Sequence, residues 1–368
     1  MKPIQYHADS FPPKNIDWVE LVPLLSKATA AVARYDGLLN AIPNPDILLS
    51  PLMVNEAVLS SRIEGTQASL NEVLTYEAEE KGKMAPQSPK DADIQEILNY
   101  RRAMWFAEKK LEELPLSQRL IREAHRILMD GVRGRNKAPG EYRKVPNWIG
   151  PPGCDIENAR YVPPDAALLP ELMSSWEKYI HAEERDILVQ LAVIHVEFEA
   201  LHPFLDGNGR LGRMIIPLFL YQAKLLHRPA FYISAYLETH RDTYYDKLLA
   251  VSRDGDWTGW YAFFLQAMRI QAEENFSKAE RILALYNEMK LSLVEITGSK
   301  YAIHALDWIF RSPVFSLNTF IQGAHVPRPT ATRIIDRLIQ KNVLELLRPS
   351  SGRSSKIVGF PALLNVVG

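Results

Sequence analysis

One segment of the 368-residue chain collects chemically active groups at high density: His202-Pro203-Phe204-Leu205-Asp206-Gly207-Asn208-Gly209-Arg210-Leu211-Gly212-Arg213. Glycines let backbone N–H groups approach phosphate oxygens, and the start of a following helix adds partial positive charge. Arg210 and Arg213 lie three residues apart, so on a helix both side chains face the same side. The segment therefore predicts a binding site for a nucleotide polyphosphate.

Part of this segment, Gly207–Gly212, also matches the G-x-G-x-x-G fingerprint of dinucleotide-binding domains. That fingerprint follows a β-strand and precedes an acidic residue about 20 positions later. The residues before His202 instead carry a helical apolar repeat, at Ile187, Leu191, Ile194, Phe198 and Leu201. Because Asp and Glu are also absent between Arg213 and Glu238, we reject a Rossmann fold.

The complete segment resembles the motif of the Fic family, H-x-F-x-D/E-G-N-G-R-x-x-R, which lies on a helix–loop–helix. All defined positions are present, as His202, Phe204, Asp206, Gly207, Asn208, Gly209, Arg210 and Arg213. The resemblance implies transfer of a nucleotide monophosphate, most often AMP from ATP, to a Tyr, Thr or Ser hydroxyl of a protein target and of the enzyme itself. It also implies Mg²⁺ as the cofactor.

The same resemblance implies a role for each residue type. His202 would be the general base that accepts the hydroxyl proton. Asp206 would hold Mg²⁺, which prefers hard oxygen ligands, and His195 would be structural. The implied ATP-binding residues are Asp206, Gly207, Asn208, Gly209, Arg210, Leu211, Gly212, Arg213, Tyr244, Tyr245 and Ser252, of which the last three would surround the adenine.

Two further segments match the family. Ser60-Ser61-Arg62-Ile63-Glu64-Gly65 fits the inhibitory-helix motif [S/T]-x-x-x-E-[G/N], with its defined positions at Ser60, Glu64 and Gly65. Its place before the core indicates the subclass in which an N-terminal, intramolecular helix restrains the enzyme. Within residues 147–164 the family has a β-hairpin flap that holds the target by strand addition, and its target-binding positions here are Arg160, Tyr161 and Val162.

Bulk composition is that of an ordinary globular protein, with 47% hydrophobic and 24% charged residues. A net charge of −1 gives the whole chain no bias toward nucleic acid. The single cysteine, Cys154, excludes an intrachain disulfide and fits a reducing compartment. Neither a signal peptide nor a membrane-spanning run of about 18 apolar residues is evident. We therefore expect a cytoplasmic protein without membrane contact.

Helical apolar spacing recurs and strand signals are scarce, with helices expected over 16–41, 46–76, 91–112, 118–131, 166–182, 185–201, 209–225 and 257–295. We expect a mainly α fold: a Fic helical core with a small β-hairpin flap, plus a C-terminal winged-helix domain of α+β type. The expected domains are an N-terminal helical region with the inhibitory helix (1–112), the catalytic core and following helices (113–296), and the winged-helix domain (297–368). Residues 83–91 are expected to form an exposed linker.

Residues 300–368 contain nine Lys and Arg against three Asp and Glu, which suggests a separate partner for this region. In a helix-turn-helix, a basic stripe formed by Arg333, Arg337 and Lys341 would face DNA. The alternative is a solvated face on a dimerisation or target-docking module. The expected partners are ATP and a protein target. Whether residues 300–368 contact DNA and whether the protein forms a homodimer remain open.

Three functions remain open at this point. The first is a protein adenylyltransferase restrained by Glu64. The second is a winged-helix transcription regulator whose Fic core senses a nucleotide. The third is a Fic enzyme that transfers another phosphate-bearing group or removes AMP.

Overall fold

The computed structural model of the chain describes residues 2–79, 88–131, 136–151, 153–351 and 354–368. Its helices are α1 (Trp18–Ala41), α2 (Pro45–Leu48), α3 (Ser50–Ile63), α4 (Leu70–Ala78), α5 (Pro89–Leu111), α6 (Gln118–Leu128), α7 (Leu169–Ile180), α8 (Ile187–Leu201), α9 (Asn208–Gln222), α10 (Ser234–Thr239), α11 (Arg241–Asp254), α12 (Trp257–Thr297), α13 (Ala302–Arg311), α14 (Leu317–Gly323), α15 (Arg328–Gln340) and α16 (Pro361–Val367). The strands are β1 (Ile4–Gln5), β2 (Tyr161–Val162), β3 (Val314–Ser316), β4 (Glu345–Arg348) and β5 (Ile357–Gly359). These elements confirm the mainly helical fold.

The chain divides into two compact units. The first contains residues Met1–Asp36, Leu59–Gly65 and Asn99–Glu273, and the second contains Gly37–Val58, Thr66–Leu98 and Glu274–Gly368. Among the described helices, none is both long enough and apolar enough to cross a bilayer. The linker expected at 83–91 lies mainly outside the described residues, and α5 already begins at Pro89.

Helices α8 and α9 pack against each other in the first unit and carry the motif at their junction. Asp186 caps α8 by accepting hydrogen bonds from the N–H groups of Leu188 and Val189, as expected of an N-cap aspartate. Almost every residue of α8 is buried. Two tryptophans from neighbouring helices, Trp176 and Trp260, donate to backbone carbonyls of α8. The packing fixes α8, and with it the start of the motif.

The stretch 46–76, expected as one helical region, consists of three helices. Gly65 ends the segment after α3 with a φ of 103°, a conformation that favours glycine. Ser69 then begins α4 with a capping box, in which its side chain accepts from the Glu72 N–H and Glu72 binds the Ser69 N–H. The break after Gly65 leaves the Ser60–Gly65 segment at the end of a helix rather than inside one.

The second unit contains the C-terminal elements in the order α13, β3, α14, α15, β4, β5 and α16, with β3, β5 and β4 forming one antiparallel sheet. Neither strand β3 nor helix α16 was expected from the sequence. Earlier segments complete this unit, because α2 packs against α13 and α4 packs against β3. The assignment to the winged-helix class stays a prediction.

The basic residues of the C-terminal region differ in their contacts. Arg337 donates through Nη1 to the carbonyl of Thr297 at 2.7 Å, which satisfies the C-terminal end of α12. Two other basic residues of the region form ion pairs, Arg348 with Glu79 and Lys356 with Asp336. Arg333, Arg337 and Lys341 are all exposed. The stripe of three cations is therefore present on α15, and its contact with DNA stays a prediction.

Candidate active site

Arg143 holds the end of α8, where the motif begins. Its guanidinium donates to the carbonyl oxygens of His202 at 3.0 Å, Pro164 at 2.6 Å and Leu201 at 3.4 Å, and the residue is 2% exposed. A helix C-terminus leaves carbonyl groups without helical partners, and a cation satisfies them well. Arg143 thereby fixes the backbone of His202, which has the left-handed values φ 44° and ψ 58°.

His125 braces the middle of the motif. Its Nδ1 accepts a hydrogen bond from the N–H of Gly140 at 2.7 Å, so the ring proton lies on Nε2, which donates to the Asp206 carbonyl at 3.0 Å. The ring stacks on Phe204 with centroids 3.9 Å apart. Burial lowers the pKa of His125 to about 4, so this neutral tautomer persists at physiological pH.

Asn208 closes the loop from within the motif. Its Oδ1 accepts from the Phe204 N–H and its Nδ2 donates to the Phe204 carbonyl, both at 2.8 Å. Asn208 was expected to bind phosphate through its amide, but this side chain is committed to the loop. A phosphate contact from Asn208 is thus restricted to its backbone N–H, which lies in the first turn of α9.

His202 is neutral in this setting. Burial lowers the pKa of its imidazole to about 4. Its Nδ1 is buried and, among the described residues, has no hydrogen-bond partner. A neutral imidazole has the protonation state that a general base requires.

Arg213 is bound to the end of α3. Its Nε donates to Ser60 Oγ at 2.9 Å, and its Nη2 donates to the Ser60 carbonyl at 2.9 Å and to Glu64 Oε1 at 2.6 Å. The Arg213 side chain is 1% exposed and that of Glu64 is 35% exposed. Burial alone would raise the pKa of Glu64, but the Arg213 guanidinium outweighs burial and holds that pKa below its usual value. Glu64 is thus an anion paired with the arginine of the motif.

The Glu64 carboxylate also lies against the first turn of α9. A Cβ atom placed on Gly209 would come within 2.2 Å of Glu64 Oε1, so no residue larger than glycine fits there without displacement. The first turn of a helix presents backbone N–H groups without helical partners and attracts anions. Glu64 therefore occupies the type of position that a bound phosphate would take.

A cavity of about 550 Å³ lies at this end of α9. Of the predicted site residues it is lined by Glu64, Arg160, Tyr161, His202, Gly209, Arg213, Tyr245 and Ser252. Tyr244 was expected beside the adenine, but it does not line this cavity. It is buried, and its hydroxyl lies 2.8 Å from Nε2 of His195. Leu211, also expected at the nucleotide, is fully buried in the core.

Asp206 and Arg210 lie at the edge of the loop. Asp206 Oδ1 accepts from the Gly207 N–H at 2.6 Å and lies 3.7 Å from Arg210 Nη2. The Asp206 side chain is 45% exposed. No group of three or more potential metal-binding side chains exists among the described residues. A single carboxylate fits a Mg²⁺ ion that takes its other ligands from phosphates and water.

Among the described residues of the expected hairpin segment 147–164, Ile149 and Tyr161 are paired, and Tyr161 in β2 has a neighbour on each side. Ile149 and Tyr161 form an antiparallel bridge, with the Ile149 N–H donating to the Tyr161 carbonyl at 2.9 Å. On the opposite side, β1 pairs in parallel with β2, and the N–H groups of Ile4 and Tyr6 donate to the carbonyls of Arg160 and Val162. The N-terminal strand therefore covers one edge of the flap.

Several supporting residues were not found from the sequence. His125 lies 81 residues before Asp206 and Arg143 lies 59 residues before His202, and no local pattern marks either residue. His7 and Tyr6 both bind the buried Glu197, and His7 Nδ1 lies 2.8 Å from Ser252 Oγ. The sequence did offer a sign of two unusual carboxylates. Glu197 and Glu199 interrupt the otherwise apolar end of α8, where charged residues are rarely buried.

Comparison with known proteins identifies relatives that match part of this chain. One is the "Protein adenylyltransferase Fic" of Culex quinquefasciatus, which is 29% identical over 47% of this chain and 32% of its own length. Another is a probable protein adenylyltransferase of Aquifex aeolicus, which is 35% identical over 20% of this chain and 23% of its own length. The chain therefore spans at most about a third of the length of these curated relatives. A crystal structure of a Fic family protein from Desulfovibrio desulfuricans G20 has a TM-score of 0.59 at 23% identity, covering 95% of this chain and 98% of that one, and supports the fold.

Sequence profiles of the family give the assignment. The profile described as Fic/DOC family N-terminal matches residues 22–109, and the Fic/DOC family profile matches residues 115–220, so the two together cover just over half of the chain. The second match contains the whole loop from His202 to Arg213, with the geometry described above. This chain belongs to the Fic/DOC family.

Proposed function

We propose that this protein transfers AMP from ATP to a hydroxyl group of a protein target and of itself. The observation that carries the proposal is the meeting of His202, the first turn of α9 and Arg213 at one cavity of about 550 Å³. An imidazole base, a ring of backbone N–H donors and a guanidinium are the groups required to bring a hydroxyl onto an α-phosphorus. The names of the curated relatives point to the same reaction.

In this proposal His202 accepts the proton of the attacking hydroxyl as the new P–O bond forms and diphosphate leaves. Its lowered pKa keeps the imidazole neutral before the reaction. The N–H groups at the start of α9 stabilise charge on the phosphate oxygens, and their rigid placement avoids reorganisation. Arg213 and Arg210 bind the β- and γ-phosphates, for which guanidinium groups are well suited.

Mg²⁺ is the proposed cofactor, held by Asp206. The ion would supply positive charge that offsets the charge of the phosphate oxygens. The chain's own contribution is to orient Asp206, whose carbonyl is fixed by His125 and whose carboxylate binds the Gly207 N–H.

Glu64 is the proposed restraint on transfer. Arg213 makes its three hydrogen bonds to Ser60 and Glu64, so the group proposed to bind the γ-phosphate is engaged. The Glu64 carboxylate also faces the first turn of α9 at Gly209. ATP would have to bind with displaced phosphates, and the α-phosphorus would not align with the hydroxyl.

The flap is the proposed docking element for the target. Both edges of Tyr161 are paired, one with Ile149 and the other with β1. An incoming extended segment would therefore add to the outer edge of the 147–150 arm, where Trp148 and Ile149 are 41% and 39% exposed.

The test uses the Glu64→Gly protein, in which the proposed restraint is removed, with ATP labelled at either the α- or the γ-phosphate. Retention of the α-label alone on the protein is expected. Retention of the γ-label alone would mean a kinase-like reaction and would contradict the proposal. Tight ATP binding without retention of either label would instead favour a nucleotide sensor.

A further inference from the structure

Two arginines from different helices hold the end of α3 that carries Glu64. Arg213 of α9 binds Ser60 and Glu64, and the proposed reaction assigns it to a phosphate. The second is Arg241, the first residue of α11, whose Nε donates to the carbonyl oxygen of Ile63 at 3.0 Å. Arg241 also lines the cavity of about 550 Å³, yet the proposed reaction leaves it without a role.

The carbonyl that Arg241 binds lies at a helix C-terminus. Helix α3 ends at Ile63, and the last carbonyl groups of a helix have no N–H donor within it. In a longer helix the Gln67 N–H would be the donor to Ile63, but it binds Asp93 Oδ2 at 3.0 Å. The guanidinium supplies the missing hydrogen bond and lies at the negative pole of the α3 dipole. Arg241 therefore stabilises the turn that carries Glu64.

The position of Arg241 within α11 is a separate reason to assign it a role outside its own helix. A cation in the first turn of a helix lies at the positive pole of the dipole and is unfavourable there. The Arg241 guanidinium lies over the ring of Tyr245, one turn later, at 5.3 Å from the ring centroid, and both residues line the cavity. The same charge is favourable at the end of α3, so the contact with Ile63 explains its position.

We propose that Arg241 is a positioning residue that sets the strength of the restraint on this site. By holding the last turn of α3, it keeps the Glu64 carboxylate on Arg213 and against Gly209. Loss of this hold would increase the fraction of molecules in which Arg213 can bind a phosphate. The inference rests on the proposed restraint of AMP transfer by Glu64.

The first experiment measures AMP transfer from α-labelled ATP by wild type, Arg241→Ala, Glu64→Gly and the double variant. If Glu64→Gly raises transfer about 10²-fold, about one wild-type molecule in a hundred is unrestrained at a time. Arg241→Ala should then raise transfer about tenfold, because one charge-assisted hydrogen bond that favours the restrained state is lost. In the Glu64→Gly background the same substitution should leave transfer unchanged, since no restraint remains to be weakened.

Two further variants make the result specific. Arg241→Lys keeps the positive charge and a hydrogen-bond donor but lacks the planar group that lies over Tyr245, so it should raise transfer less than Arg241→Ala. Arg253→Ala removes one positive charge from an exposed position of the same helix, where Arg253 pairs with its neighbour Asp254. This control should leave transfer at the wild-type level. Thermal melting establishes that each variant is folded.

A second measurement does not depend on the reaction. The Glu64 N–H donates to the Ser61 carbonyl, so its hydrogen exchange reports the opening of this turn. In Arg241→Ala, exchange of a peptide that covers residues 59–65 should be about tenfold faster, again the effect of one hydrogen bond. In Arg253→Ala, exchange should match that of the wild type. Mass spectrometry of the protein without added nucleotide measures these rates.

The outcomes distinguish this inference from the proposed function. Unchanged transfer by Arg241→Ala, or unchanged exchange of its 59–65 peptide, would overturn the positioning role. An equal change of transfer in the wild-type and Glu64→Gly backgrounds, whether a loss or a gain, would place the action of Arg241 outside the restraint and also overturn it. Absence of AMP transfer by Glu64→Gly would overturn the proposed function, and hydrogen exchange would then still decide whether Arg241 holds the end of α3.

Discussion

The loop His202–Asn208 and the side chain of Arg213 belong to one motif, yet different kinds of partner hold them. The loop is held by His125, Arg143 and its own Asn208, all of them buried. Arg213 is held by Ser60 and Glu64, and the Glu64 side chain is 35% exposed at the cavity. In the proposed reaction the first half of the motif is already in place, whereas Arg213 in the second half would have to exchange a protein carboxylate for a phosphate.

Under the proposed function, this difference would make a single site both preorganised and restrained. The contacts of the loop do not use atoms that a nucleotide would need, apart from the amide of Asn208. The contacts of Arg213 use the donors that a γ-phosphate would need. Changes in the loop should therefore lower transfer, and changes at Glu64 should raise it.

The largest expected effect comes from the base. His202→Ala should lower AMP transfer roughly 10²–10⁴-fold, because a general base is typically worth this much. ATP affinity should stay near the wild-type value, since His202 is not proposed to bind the phosphates. Transfer is measured with α-labelled ATP and affinity by calorimetry, with the exposed His181→Ala as the matched control. Undiminished automodification by His202→Ala would remove His202 from the mechanism.

The next effect has the opposite sign. Glu64→Gly should raise transfer by about 10²-fold, because the phosphates can then reach Arg213 in line with the hydroxyl. Glu64→Gln should raise it less, since its amide oxygen can still accept a hydrogen bond from Arg213. The control is Arg62→Gly, which introduces the same helix-weakening residue at an exposed position of α3, at a cost of about 1 kcal/mol. If Arg62→Gly activates as much as Glu64→Gly, loosening of α3 rather than the carboxylate is responsible.

A smaller loss of AMP transfer is expected from changes at His125, which supports the loop. His125→Phe keeps a ring to stack on Phe204 but loses the hydrogen bonds to Gly140 and Asp206. We expect transfer to fall about tenfold, the effect of roughly one hydrogen bond on the position of Asp206, and the Mg²⁺ requirement to rise. His125→Gln, whose amide N–H reaches the place of Nε2, should recover part of both. Equal Mg²⁺ dependence in wild type and His125→Phe would assign His125 to stability alone.

The smallest effect is the response to pH. Because burial lowers the pKa of His202 to about 4, the neutral base persists as the pH falls from 8 to 5.5. Transfer by Glu64→Gly should then change by no more than about twofold over this range, whereas a histidine with the usual pKa near 6.5 would lose about tenfold. Initial rates under kcat/KM conditions measure this, and a tenfold loss centred near pH 6.5 would contradict the assigned protonation state.

Much of this site could be predicted from the sequence because the motif is local. The spacing of His202, Asp206, Arg210 and Arg213 and the helical periodicity on both sides are visible in one stretch of chain. The Ser60–Gly65 motif identified a partner for Arg213 about 150 residues away, but only through the resemblance to a family. Its role as a restraint remains a prediction.

The rest could not be predicted, for physical reasons. The bonds from His125 and Arg143 to the loop join distant segments, and the pairing of β1 with β2 spans more than 150 residues. Tyr244 and Tyr245 are neighbours on α11, and a rotation of about 100° between successive residues decides which one lines the cavity. The sequence contains both tyrosines but does not give the rotational orientation of α11 relative to the cavity. The bonds of the Asn208 side chain to Phe204 were also not predicted, because an amide can hydrogen-bond to the backbone of its own loop as well as to a ligand.

The proposal that Glu64 acts by binding Arg213 is tested most directly by comparing four proteins: wild type, Glu64→Gly, Arg213→Ala and the double variant. AMP transfer from α-labelled ATP is measured for each under the same conditions. If Glu64 acts by holding Arg213, then Glu64→Gly should raise transfer about 10²-fold when Arg213 is present and leave it at the low level of Arg213→Ala when it is absent. Equal labelling by wild type and Glu64→Gly, or the same stimulation in both backgrounds, would contradict this account.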